Sequence, residues 1–251
     1  MLLFSLCLSL FVCKAYPMAA SISKTTVPAA VDDPAQDGRW LSQHHRFLME
    51  ARDKEPEVVF LGDSMIQRLQ DADVWKNLFQ PMHCLNFGIG GDSTQHLLWR
   101  IVEGELDSVR PKVIVILIGT NNFLNSAEEV AEGIEEIVRN VREKQPQAHI
   151  LVVEIFPRGE KDNIQRQKNA RTNELIRNSL RGKEKVRVVN LDPGFVGEDG
   201  SISPQDMPDY LHFSNKAYTK SFTPLAHLVT SLLEEGDQEA SVAKESGSGD
   251  L

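Results

Sequence analysis

Cysteine is scarce: three in 251 residues, and two of them, Cys7 and Cys13, fall within the first fifteen positions. The folded body therefore keeps Cys84 alone. A lone thiol closes no internal disulfide, so stability has to come from packing, as it does in proteins of reducing compartments. Beside an apolar run, Cys84 reads as a small buried hydrophobe. No Cys/His spacing of the zinc type occurs, and no metal or organic cofactor is implied. Positive charge is also short, with 27 Lys and Arg against 36 Asp and Glu, a formal net charge of −9. That balance disfavours nucleic acid and anionic membrane surfaces as partners, although a local basic patch stays compatible with it. The apolar run at residues 2–12 is too short to span a bilayer comfortably. Internal repeats are absent, and the length suits one domain with a sizeable core.

The apolar run at 2–12 has the length of a signal-peptide core, and Cys13-Lys14-Ala15 offers a small-x-small cleavage site before Tyr16. Against this, no Lys or Arg precedes the run, and Met18 opens Met-Ala-Ala-Ser as an alternative start. Residues 1–17 therefore read either as a signal-like segment or as an upstream extension. Residues 18–37, rich in Ala, Ser, Thr, Pro and Asp, read as a flexible arm. The folded domain is expected over 38–233, and the acidic, Ser/Gly-rich stretch 234–251 as a disordered tail.

Inside the domain, apolar runs alternate with helical patterns. Val58–Leu61, Leu85–Phe87, Val113–Ile118, Ile150–Ile155 and Val186–Leu191 read as strands. The third is six apolar residues without alternation, the signature of a strand covered on both faces. Helices are expected at Gly38–Lys54, Val74–Phe79, Thr94–Glu103, Glu128–Lys144, Gln165–Leu180 and Asn215–Leu233. Five such strands predict an α/β fold: a flavodoxin-like, three-layer α/β/α sandwich around a five-stranded parallel sheet. The strand order 2-1-3-4-5 comes from fold precedent.

Three short motifs sit where strands end or helices begin, the edge at which such a sheet builds its binding crevice. Gly62-Asp63-Ser64 follows the first strand. Ser64 is either a nucleophile or a plain helix cap. Ile66 breaks the Gly-x-Ser-x-Gly elbow, which disfavours a standard α/β-hydrolase. Gly119-Thr120-Asn121-Asn122 follows the third strand. The Asn121 amide can donate to a developing oxyanion, as can the N–H groups of Gly91 and Ser64, or the two asparagines merely form a turn. Asp209-Tyr210-Leu211-His212 precedes the last helix. A turn there puts Asp209 and His212 on one side, so that the carboxylate can hold the imidazole as a general base toward Ser64. Gly88-x-Gly90-Gly91 fits neither the dinucleotide nor the Walker fingerprint.

Taken in order, Gly-Asp-Ser, a glycine after the second strand, Gly-x-Asn after the third and Asp-x-x-His near the end resemble the four blocks of the SGNH (GDSL-like) hydrolases. The resemblance implies Ser64 as nucleophile, His212 as base, Asp209 as its partner, and Ser64, Gly91 and Asn121 as the oxyanion hole. Longer stretches narrow the likeness: Gly38-Arg39-Trp40, Lys54 to Val59, Asn86 to Asp92, Pro157 to Glu160, Arg166 to Asn169 and Asp206-Met207. Over roughly 38–233 the chain resembles the catalytic α subunits of the intracellular, type Ib platelet-activating factor acetylhydrolases.

That likeness implies a cytoplasmic serine esterase that removes acetyl groups from ether phospholipids. It also implies a homodimer or heterodimer of related α subunits and a WD-repeat regulatory partner. Met65 and Leu211, neighbours of the nucleophile and base, are candidates for the wall of a short acyl pocket. Two features depart from the family: the leader at 1–17, which would mean secretion if residues 1–15 are a genuine signal peptide, and Phe123, which stands where relatives carry histidine. The alternatives are a carboxylester or carbohydrate deacetylase using the same site, and a chain that serves mainly as a binding subunit for a WD-repeat regulator of dynein.

Overall fold

The computed structural model describes residues 24–33 and 36–247, with side chains as far as residue 236. The expectations for residues 1–17 lie outside the described residues.

Five strands form one parallel sheet: β1 Val58–Gly62, β2 Cys84–Gly88, β3 Val113–Leu117, β4 His149–Val153 and β5 Val186–Val189. Their order is β2-β1-β3-β4-β5, as the fold precedent predicts. Gly62 pairs with Gly88 on one side and Leu117 on the other, so three strands end level at the C-terminal edge of the sheet. The helices are α1 Arg39–Asp53, α2 Ser64–Leu69, α3 Thr94–Arg100, α4 Ala127–Lys144, α5 Ile164–Ser179 and α6 Asn215–Gly247.

Every position of β1 and β3 is buried. Along β3 the side chains alternate between two cores. Ile114 and Ile116 join Phe47, Leu97, Ile134 and Ile176 on one face, while Val113, Val115 and Leu117 join Ile66, Phe79, Phe222 and Val229 on the other. Both faces being covered explains the run without alternation, and each such aliphatic side chain stabilises the fold by about 1.5–3 kcal/mol. Cys84 opens β2, half-buried against the second of these cores.

Several expectations are corrected. The helix read over Thr94–Glu103 stops at Arg100 and runs into a wide π turn, Ile101–Glu105, where Gly104 adopts φ 98°. Only glycine takes that conformation without strain. The flexible arm expected over 18–37 packs onto the domain where it is described. Thr25 is 3% exposed, its Oγ1 donates to Glu129 O at 2.6 Å, and Ala29 N donates to Gln95 O at 3.1 Å. Weak periodicity excludes regular structure there, but it does not stop a chain from bonding to its neighbours. The disordered tail expected from residue 234 is described as helix, since α6 continues to Gly247. Its Glu and Ala residues favour helix, and it holds no proline.

Candidate active site

Glycine lets β1 end where it does. A Cβ on Gly62 would stand 2.3 Å from Leu117 O of β3. The chain then turns into α2, and its N-cap is Asp63, whose Oδ1 accepts from Met65 N at 2.9 Å. The capping role that composition allowed to Ser64 thus belongs to the residue before it. Ser64 becomes the first helical residue, and its hydroxyl is left free to point out of the sheet edge. Asp63 is 1% exposed, and burial pushes its carboxyl up to about 7.

The loop before α6 supplies the partner. Tyr210 adopts φ 56°, and its N–H donates to Met207 O at 2.9 Å. The tight turn lets Asp209 Oδ1 accept from Leu211 N at 3.1 Å and His212 N at 2.7 Å. Asp209 Oδ2 meets His212 Nδ1 at 2.6 Å, and His212 Nε2 meets Ser64 Oγ at 2.9 Å. Partial burial would raise the Asp209 carboxyl, but the hydrogen bonds from His212 and from the backbone override it and hold the group at about 2. Asp209 is therefore a carboxylate at any physiological pH, and it favours the tautomer with the proton on Nδ1. Tyr218 ties α6 to α2 by donating to Met65 O at 2.8 Å.

The two further sequence candidates lie at the same edge. Gly91 is exposed at φ 87° in the turn after β2. Asn121 is half-buried after β3, and its Nδ2 donates to Asp92 O at 2.9 Å. That bond uses one amide hydrogen and leaves the other. Asn122 has a different task. It is 2% exposed and staples the start of α3, accepting from Thr94 N at 3.1 Å and donating to Thr94 Oγ1 at 3.0 Å.

Sequence reasoning missed what lies beneath. Asp92 is fully buried next to Gly91. Its Oδ1 accepts from Trp40 Nε1 at 2.7 Å, and its Oδ2 from Arg100 Nε at 2.9 Å. Arg100, also fully buried, pairs with Glu105 as well and reaches Gly62 O at 3.3 Å. Burial pushes both carboxyls upward against the pull of the Arg100 guanidinium. Asp92 thus holds the Gly91 turn by its side chain and Asn121 by its carbonyl.

Met65 and Leu211 line one small cavity together with Asp63, Thr120, Ile155 and Phe156. Met65 is 3% exposed and so belongs to the core as well. Phe123 is 50% exposed at the rim, and its ring lies 5.0 Å from the Arg158 guanidinium. Among the described residues no group of three or more His, Cys, Asp or Glu is placed to hold a metal ion.

The model of the GDSL-like lipase/acylhydrolase family matches residues 60–220. The platelet-activating factor acetylhydrolase IB subunit alpha2 of Gallus gallus is 52% identical over 217 residues, covering 86% of this chain and 95% of the relative. The alpha1 subunit of Bos taurus is 49% identical over 218 residues, covering 87% and 94%. Among solved structures, a GDSL-like lipase from Bacteroides thetaiotaomicron superposes with a TM-score of 0.56 at 16% identity, covering 80% of this chain and 98% of its own. A carbohydrate acetylesterase from Sinorhizobium meliloti also gives 0.56 at 16% identity, covering 71% and 100%. At that identity these two likenesses speak for the fold alone. With the family model spanning well over half of the sequence and half of the residues shared with its relatives, the chain belongs to the GDSL-like lipase/acylhydrolase family.

Proposed function

We propose that this protein is a serine esterase that removes a short acyl group, acetyl first of all, from an ether phospholipid. The observation that carries the chemistry is the continuous chain from Ser64 Oγ to His212 Nε2 at 2.9 Å and from His212 Nδ1 to Asp209 Oδ2 at 2.6 Å. The substrate class is supported by relatives about half identical that are named platelet-activating factor acetylhydrolase IB subunits.

In this mechanism His212 Nε2 takes the Ser64 proton as Oγ attacks the ester carbonyl. Asp209 orients the imidazole and stabilises its charged form. The N–H groups of Ser64 and Gly91 and the remaining Asn121 amide hydrogen receive the oxyanion. The tetrahedral intermediate collapses as the bond to the glycerol oxygen breaks, and His212 returns the proton to that oxygen. Water, activated by the same imidazole, then attacks the acyl-enzyme and releases acetate. Met65 and Leu211 close the far end of the acyl site and limit chain length.

The relatives' naming as subunits supports assembly with a second α-type chain, like or unlike. A WD-repeat regulator and a cytoplasmic location complete this reading, supported by the single body cysteine and the family resemblance. The test is ester hydrolysis by the full chain across acyl lengths, on phospholipid and aryl esters, beside Ser64→Ala. Best cleavage of the acetyl ether phospholipid, with a silent Ser64→Ala, is the expected result. Equal rates on long acyl chains, or a fully active Ser64→Ala, overturn it.

A further inference from the structure

The partly buried arginines of this protein have their charge or their donors met, with one exception. Arg100 faces Asp92 and Glu105, and Arg142 donates to the carbonyls of Pro146, Ala148 and Glu184 at 3.0, 3.0 and 2.8 Å. Arg166 spends its guanidinium on the carbonyls of Arg158, Gly200 and Gly159, at 3.2, 2.8 and 2.5 Å. Arg158 differs. Its Nη1 donates to Thr120 O at 2.9 Å and Thr120 Oγ1 at 3.1 Å, both neutral acceptors. Among the described residues it forms no ion pair, and its Nε and Nη2 donate to nothing.

A second cation lies beside it. Lys168 Nζ donates to Asn122 O at 2.5 Å and Phe123 O at 3.4 Å, again without an ion pair among the described residues. Burial lowers the pKa of both groups, and Arg158 lowers that of Lys168 further. The carboxyls that Arg158 senses are Asp63 and Asp209. The first is buried and pushed up to about 7, and the second is committed to His212. A chain of net charge −9 thus keeps two cations together with no counter-ion of their own.

The place is telling. Thr120 and Phe123, both touched by Arg158, bracket the oxyanion candidate Asn121. Gly159 N, next in sequence, donates to Tyr210 O at 2.7 Å in the loop that carries Asp209 and His212. The unspent Nε and Nη2 form the side-on fork of a guanidinium, which matches two oxygens of one phosphate. The Phe123 ring packs against the guanidinium and limits its motion.

We propose that Arg158, assisted by Lys168, is the subsite that binds the substrate's phosphate, at the rim between the oxyanion donors and the histidine loop. This rests on the phospholipid reading above and adds which residues recognise the headgroup. It also accounts for an anionic phosphate group at the surface of an acidic protein, since local charge outweighs net charge within about one Debye length, roughly 8–10 Å.

The test compares wild type, Arg158→Gln, Arg158→Lys and Lys168→Gln as full chains. Substrates are an acetyl ether phospholipid and the neutral ester p-nitrophenyl acetate, with glycerophosphocholine as a competitive inhibitor of the latter. Arg158→Gln is expected to lower kcat/KM on the phospholipid by about 10- to 100-fold, mainly through KM, the size of one charge-assisted pair of hydrogen bonds. On the neutral ester the fall should be several times smaller, and the inhibition constant of glycerophosphocholine should rise about tenfold or more. Arg158→Lys, which keeps charge but loses the fork, should fall between. Parallel losses on both esters would mean that Arg158 only braces the loops. An unchanged inhibition constant, or wild type that glycerophosphocholine does not inhibit, would likewise overturn the proposal. Should wild type cleave the aryl ester but not the phospholipid, the substrate reading falls, and the inhibition constants alone decide the role of Arg158. Arg158→Lys and Lys168→Gln keep the test decisive if Arg158→Gln does not fold.

Discussion

Two clusters of ionisable side chains meet at the same sheet edge and are built in opposite ways. Asp209, His212 and Ser64 form an open chain, with side-chain exposures of 52% for Asp209 and 15% for His212. Asp92, Arg100 and Glu105 form a closed knot at 0% exposure. In the proposed mechanism the open chain passes a proton to and from a substrate, so it needs access, and one carboxylate settled at about 2 is enough to steer it. The closed knot exchanges nothing. Isolation from water strengthens each bond and makes each loss expensive, which suits a part whose task is to keep Gly91 and Asn121 in place. The difference shows that charge near an active site can serve chemistry or geometry, and that exposure tells the two apart.

That contrast breaks most readily at the open chain. Asp209→Asn, which leaves the imidazole in the wrong tautomer, should lower kcat by about 10⁴ with little change in melting temperature. Aryl ester turnover and a thermal melt check it, and a large loss of stability would mean that the open chain is also structural. At the closed knot, Arg100→Met leaves two carboxyls without their cation and should cost about 3–5 kcal/mol of stability, read from the denaturant midpoint. An unmoved midpoint would remove the distinction drawn above. Asn121→Ala tests the joint between the two clusters and should lower kcat by about 10²–10³ while KM moves little. Trp40→Phe deletes one donor to Asp92 and should cost about 1–3 kcal/mol.

The mildest test is pH. Burial lowers the pKa of His44 from 6.5 to about 4, so the folded protein keeps it neutral where the unfolded chain binds a proton. Its contribution to stability is complete above 6.5, erodes as pH falls, and is lost as pH passes about 4. His44→Phe should flatten the decline in melting temperature across that window. At neutral pH the variant reports packing alone.

Much of this was legible because it rests on local rules. The apolar run at Val113–Ile118 announced a strand covered on both sides, and the order of strands and helices announced a parallel sheet. Ser64, Asn121, Asp209 and His212 stood out because chemistry-bearing residues lay where predicted strands end or a predicted helix begins. The knot was not legible. Arg100 sits in an amphipathic helix, where arginine usually marks the solvent side, and its partners are Asp92, Glu105 and a carbonyl at Gly62. Spacing in sequence cannot reveal that such groups meet in the interior. Asp63 was readable in principle as a cap, yet it lay hidden beside a serine that caps equally well.

The sequence by itself determined the alternation of elements, the parallel sheet and the choice of candidate site residues, because hydrophobic period and turn chemistry act over a few residues. Tertiary structure decided which of two candidate caps closes α2, and so left Ser64 free. It also decided that one acidic cluster is buried against Arg100, and that Arg158 keeps its charge unanswered beside Asn121. Those outcomes depend on which distant chains share a crevice, and electrostatic energy is set by distance and burial rather than by order along the chain.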